Sequence, residues 1–189
     1  MSRRLSLLFL FAMTLSLTTA AIASATGDGS KSITRASDRV AAIVATGSGA
    51  TGKTTPNPRC PLPARFRHAF ESASDKSGVP LSLLVAVAQE ESNFEPNAVS
   101  HAGALGLLQV LPSTAQELEI DTSTPDANVL AGARYLRRML DRFTSLDLAL
   151  AAYNAGPTAV EKAGGPPTDE TRAYVANVTA RWRTLLGCS

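Results

Sequence analysis

Aromatic side chains are scarce, at 5% of the 189 residues, and the chain has only two histidines and two cysteines. His68, His101, Cys60 and Cys188 make a poor metal set, because a zinc site wants four protein ligands or three plus a water. No metal and no other cofactor is expected. Charge of either sign is in little excess: the formal net charge is +2, and Arg3 and Arg4 account for it. Nucleic-acid binders normally carry a basic footprint, so nucleic acid is not an expected partner. No alternating strand pattern of any length is present, nor any repeat of the 20–50-residue kind that builds solenoids. What remains is an all-α domain. Long apolar runs are also few. Leu5 to Leu17 is one, and Leu81 to Ala88 is far too short to span a bilayer.

What is there begins with an export signal. Arg3 and Arg4 precede the apolar run, and the small residues Thr19-Ala20-Ala21-Ile22-Ala23-Ser24-Ala25 follow it, the pattern of a cleaved secretory leader. Cleavage after Ala23 or Ala25 fits equally well, and an uncleaved anchor is the competing reading. Residues 1–25 are therefore assigned as leader. The expected location is the periplasm or the extracellular cell envelope, with no membrane contact after cleavage. Residues 26–58, rich in Gly, Ser, Thr and Ala, read as a flexible tether. Within it Gly47-Ser48-Gly49-Ala50-Thr51-Gly52-Lys53-Thr54 fits the nucleotide-binding P-loop pattern. That motif needs a helix starting at its Lys-Thr pair, and Pro56 and Pro58 stop one at once. Residues 59–189 remain for the folded domain, with Cys60 and Cys188 at its two ends. An even cysteine count in an exported chain favours a disulfide, which would close a loop long enough for about 4–5 kcal/mol of stabilisation in the chain-entropy model.

The domain is organised around Pro80 to Pro112. Pro80 suits the start of a helix, and Leu81, Leu83, Leu84, Val85, Ala86, Val87 and Ala88 are apolar on every face, so the helix should be buried all round. It runs straight into Gln89, Glu90, Glu91 and Ser92. Carboxylates at the end of a buried helix are costly unless something pairs or uses them. Pro96, Gly103, Gly106 and Pro112 turn the following segment into an irregular loop. A rigid apolar helix that delivers a carboxylate to such a loop is a plausible acid–base site.

Other helices flank it. Phe66, Ala69, Phe70 and Ala73 lie at helical spacing ahead of Gly78, a natural stop. Ser113 and Gln116 have the spacing of a capping box, with Ser113 at the N-cap of a short helix. Asp126 to Phe143 is amphipathic, with Val129, Leu136, Leu140 and Phe143 on one stripe and Arg134, Arg137, Arg138 and Asp141 elsewhere. Leu146 to Ala155 is largely apolar and ends at Gly156-Pro157. A short turn of helix reaches Lys162. The last helix takes Thr168 as cap and Asp169 and Glu170 in its first turn, then continues through Tyr174, Val178, Trp182 and Leu185.

Four motifs in this order carry a resemblance. Glu91-Ser92-x-Phe94-x-Pro96, then Ser100, lead to Gly103-Ala104-x-Gly106-Leu107-Leu108-Gln109-Val110-Leu111-Pro112. Asn128-Val129-x-x-Gly132-x-x-Tyr135-Leu136, Ala151-Ala152-Tyr153-Asn154-Ala155-Gly156-Pro157 and Glu170-Thr171-x-x-Tyr174-Val175 follow. Together they resemble the catalytic domain of soluble lytic transglycosylases, relatives of goose-type lysozyme. The resemblance implies a lysozyme-like helical domain with a substrate cleft. It also implies cleavage of the β-1,4 link between N-acetylmuramic acid and N-acetylglucosamine in peptidoglycan glycan strands. One glutamate acts there as acid to the glycosidic oxygen and then as base on the muramoyl 6-hydroxyl, closing a 1,6-anhydro ring.

Glu91 matches that glutamate, although composition alone does not choose it over Glu90. The role requires enough burial to raise its pKa. Ser100 and Gln109 match sugar-contacting positions. Tyr153 matches a tyrosine whose hydroxyl lies near the catalytic carboxylate, with Asn154 beside it. Glu170 matches a carboxylate of the cleft and Tyr174 a cleft-side aromatic; for all of these, packing or capping is the plainer alternative. Leu108 and Leu111 stand where the family often has methionine, a change that usually repacks at modest cost. His101 reads as a solvent-facing loop residue. A monomer is expected, and a secretion or conjugation apparatus is a partner compatible with wall cleavage. The alternatives are a hydrolytic muramidase, in which water replaces the 6-hydroxyl, and a silent glycan-binding module.

Overall fold

A computed structural model describes residues 59–188. The leader 1–25, the tether 26–58 and the P-loop-like segment within it lie outside the described residues. A 3-10 turn at Ala64–Phe66 leads into α1 (Arg67–Ser77), α2 (Leu81–Glu91), α3 (Pro112–Glu117), α4 (Pro125–Arg142), α5 (Leu146–Ala155), α6 (Pro157–Ala163) and α7 (Asp169–Thr184). Among the described residues the only strand-like pairings are isolated bridges, Val99 with Leu105 and Leu105 with Val110. The domain is all-α, as its sequence pattern predicts.

Local chemistry accounts for most of the boundaries. α1 buries Ala69, Phe70 and Ala73, and ends where Gly78 takes a left-handed φ of 68° and donates its N–H to the Ser74 carbonyl. A residue with a Cβ would be strained there. Thr124, Ser145 and Thr168 cap α4, α5 and α7, each side-chain oxygen accepting the N–H three residues on. α3 departs from the expected start. It begins at Pro112, Leu111 occupies the N-cap, and no side chain caps it. The proline ring presets φ for the first helical position, so Ser113 falls inside the first turn instead of ahead of it.

α2 is the centre of the core. Ser82 to Ala88 are all buried, and even the Ser82 hydroxyl is used, accepting from Trp182 Nε1 at 3.1 Å. α7 packs along α2, α1 crosses α4, and α5 contacts α4, α6 and α7. α5 approaches its neighbours closely because it presents Ala149, Ala151 and Ala152, all fully buried. A disulfide joins Cys60 to Cys188, residues 128 apart in sequence, so both ends of the described chain are tied together. α2, whose last turn carries Glu90 and Glu91, packs against both α1 and α7.

Candidate active site

Just after α2 the chain turns sharply. Asn93 and Phe94 both have positive φ, 49° and 64°, a conformation that costs free energy for residues with a Cβ unless the surroundings impose it. Two contacts impose it here. Phe94 packs edge-on against Phe70 with ring centroids 6.2 Å apart. Ser92 Oγ lies 2.9 Å from the Leu107 carbonyl oxygen and ties the helix end to the following loop. The Ser and Phe of the first motif are therefore fasteners for the glutamate that precedes them.

The loop is itself fastened to α4. Buried Asn128 accepts from the Leu108 N–H at 3.0 Å and donates to the Leu105 carbonyl at 2.8 Å. An ideal Cβ on Gly106 would stand 2.7 Å from Asn128 Nδ2, so glycine permits this approach. One turn along α4, a Cβ on Gly132 would come within 2.5 Å of Leu108 Cβ and 3.0 Å of the Tyr153 hydroxyl. Tyr153 Oη donates to the Leu108 carbonyl at 2.7 Å, and its ring lies 5.4 Å from that of Tyr135. Gln109, at φ 44°, donates from Nε2 to the carbonyls of Gly106 at 2.9 Å and Ala98 at 3.1 Å. Ser100 Oγ accepts the Ala104 N–H at 3.0 Å. Gln109 and Ser100 thus shape the loop as well as face the space beside it.

That space is a cavity of about 530 Å³ lined by Glu91, Ser100, Gln109, Tyr153, Asn154 and Glu170 together with Tyr135 and the loop. Every expected site residue except Tyr174 lines it. Tyr174 is buried and stands behind Glu91, where its hydroxyl donates to Glu91 Oε1 at 2.7 Å. The expectation of a cleft-side aromatic is corrected accordingly: Tyr174 faces the end of α2, because the register of α7 turns it toward that helix. Tyr153 lines the cavity together with Glu91, whose charge acts on its hydroxyl. Its hydroxyl bond goes to the Leu108 carbonyl, and Tyr174 is the donor to Glu91. Asn154 and Glu170 are exposed at the margin, as is His101.

Electrostatics separate Glu91 from its neighbour. Burial pushes the Glu91 carboxyl from the usual 4.5 up to about 7; the Tyr174 hydrogen bond opposes this by favouring the ionised form, and the adjacent Glu90 adds to it. Glu90 instead accepts from Asn177 Nδ2 at 2.9 Å and Arg181 Nη2 at 3.2 Å. Packing thus places the two adjacent carboxyls in different surroundings. Burial, then the charge of Glu91, holds the Tyr153 and Tyr174 hydroxyls well above their ordinary range, so both stay protonated donors. Near neutrality Glu91 populates both its forms, which suits a group that must give a proton and then take one.

Asn128, Gly132, Tyr135 and Ser92 have structural roles that the motif letters alone do not disclose. One signal was available for Asn128. It is a polar residue on the apolar stripe of α4, one turn before Gly132 on the same face.

The model of the transglycosylase SLT domain family matches residues 68–174. Membrane-bound lytic murein transglycosylase F 1 of Alkalilimnicola ehrlichii is 38% identical over 100 residues, which are 49% of this chain and 20% of that protein. The transglycosylase of Enterobacteria phage PRD1 is 32% identical over 119 residues, 62% of this chain and 43% of the phage protein. Among solved structures, an inactive mutant of lytic transglycosylase Slt from Pseudomonas aeruginosa superposes with a TM-score of 0.57 at 29% identity. That match covers 68% of this chain and 25% of the other. The 70 kDa soluble lytic transglycosylase of Escherichia coli gives 0.56 at 29% identity, covering 67% and 25%. The match spans only 20% of the length of the first of these relatives.

Proposed function

The chain belongs to the transglycosylase SLT domain family, and we propose that it is a peptidoglycan lytic transglycosylase with Glu91 as its single acid–base group. The observation that carries this reading is the placement of the Glu91 carboxyl: half-buried, lining the cavity and accepting from the Tyr174 hydroxyl, in surroundings that push its pKa up to about 7. Tyr174 engages Oε1 and leaves Oε2 for substrate. The protonated carboxyl donates to the glycosidic oxygen between N-acetylmuramic acid and N-acetylglucosamine. The carboxylate so formed then takes the proton of the muramoyl 6-hydroxyl as that oxygen attacks the anomeric carbon. A 1,6-anhydro ring closes and no water is consumed.

In this reading Ser100, Gln109, Asn154 and Glu170 line the sugar path, and Tyr153 holds the loop in place through the Leu108 carbonyl. The cavity size falls within the range that buries a small ligand. The catalytic domain occupies 59–189 and follows an export leader and tether, which directs the activity to the cell envelope. No helix among the described residues is long and apolar enough to cross a membrane. The proposed enzyme acts as a monomer. A secretion or conjugation apparatus is a compatible partner. The test is Glu91→Gln, which keeps size and hydrogen bonding but cannot transfer a proton. The variant is expected to bind glycan strands and release nothing; substantial remaining cleavage would remove Glu91 from this role.

A further inference from the structure

Glu90 and Glu91 leave the last turn of α2 in different directions, because successive helix positions are rotated by about 100°. Both nevertheless meet α7. Tyr174 bonds Glu91, while Asn177 and Arg181 bond Glu90. These three α7 residues stand three and four positions apart in turn and share one face of the helix. One helix face therefore offers a neutral hydroxyl to one carboxyl and an amide plus a guanidinium to the next. The Glu90 side chain is 19% exposed, and each of its two oxygens has its own donor.

Resting on the reading of Glu91 as the acid, we propose that Glu90 is a positioning residue for it: clamped on α7 by Asn177 and Arg181, it fixes the last turn of α2 and sets an ion-paired carboxylate beside Glu91. A like charge nearby disfavours ionisation, and Glu90 acts on Glu91 in that sense. The other groups around Glu91 do not substitute for it. Tyr174 from α7, Tyr153 from α5 and Tyr135 from α4 are all held neutral by burial. Glu170 at the start of α7 and His101 in the loop share the cavity, but both are exposed, where water screens them. Arg181, beyond Glu90, is the counter-charge. Two adjacent carboxyls held in such different surroundings are the arrangement expected of one acid and one stabiliser.

The test is the pH profile of kcat/KM for the full-length protein on purified peptidoglycan. Activity requires protonated Glu91, so it falls as pH rises through the Glu91 midpoint. Glu90→Gln keeps the Asn177 contact and removes the charge; its midpoint is expected to drop by about half a unit or more, with the acid plateau retained. Arg181→Gln removes the counter-charge and moves the midpoint up, and Arg181→Lys restores it. A merely mechanical brace would lose rate at every pH in both glutamine variants with the midpoint unmoved. That result, or shifts of the same sign, would overturn the proposal. Should Glu90→Gln fail to fold by circular dichroism, the Arg181 pair decides: an upward shift reversed by lysine supports it, and an unmoved midpoint contradicts it. A wild-type protein that releases nothing at any pH, or an active Glu91→Gln, would instead contradict the role of Glu91 and remove the basis of this inference as well.

Discussion

The hydroxyl of Tyr174 donates a 2.7 Å hydrogen bond to Glu91 across 83 residues of sequence. It joins the last helix of the domain to the end of its most buried one. It is also the interaction that opposes burial in setting the proton affinity of the carboxyl.

Tyr174→Phe therefore has a definite sign. The hydroxyl stabilises the ionised form, so its loss moves the alkaline midpoint of kcat/KM upward, by about one unit for one hydrogen bond to a charged group. The plateau rate falls by roughly ten- to a hundredfold, because the carboxyl loses its orienting partner. A midpoint that stays in place would mean that Tyr174 does not hold the carboxylate in solution.

The raised pKa of Glu91 is also a statement about stability. The folded value, about 7, lies above the usual 4.5, so the folded state binds more protons than the unfolded state between these two pH values. Stability from this group is fully present below 4.5 and is lost as pH rises through about 7. The full difference is about 3–4 kcal/mol at 1.4 kcal/mol per unit. Glu91→Gln does not titrate, so in denaturant titrations it should gain on the wild type as pH rises from 4 to 8. A constant difference between the two proteins across that range would contradict the burial of this carboxyl.

Gly132→Ala sets two effects against each other. In a helix interior alanine is favoured over glycine by about 1 kcal/mol. Here the new methyl would sit 2.5 Å from Leu108 Cβ, an atom close to the backbone that cannot swing aside, and overpacking of this kind costs about 1–3 kcal/mol. Overpacking is expected to win. The melting temperature drops by a few degrees, and kcat/KM falls because the Leu108 carbonyl shifts away from the Tyr153 hydroxyl. A variant with a higher melting temperature and full activity would show that the loop has room to move.

Most of the fold is legible in the sequence because its signals are local. The apolar run ending at Ala88, the left-handed stop at Gly78 and the Thr168 cap each depend on a few neighbouring residues. Ser113 misleads for the same reason. Its capping pattern is genuine, but Pro112 has a stronger claim to the first helical position. The site is legible in its membership and not in its roles. Ser100, Gln109, Tyr153, Asn154 and Glu170 meet Glu91 at one cavity, yet which tyrosine bonds the carboxyl depends on how α7 and α5 are rotated when they pack. No local pattern records that rotation. The distinction between Glu90 and Glu91 is of the same kind: one position of helix rotation separates the cavity from the Arg181 clamp.

The measurement that bears most directly on the central claim is mass spectrometry of the muropeptides released when the leader-free protein digests purified peptidoglycan. With Glu91 serving as both acid and base, the products should end in 1,6-anhydromuramic acid, one water lighter than reducing ends. Products with reducing ends would mean that water, not the 6-hydroxyl, attacks the anomeric carbon, and the single-carboxyl account would be wrong.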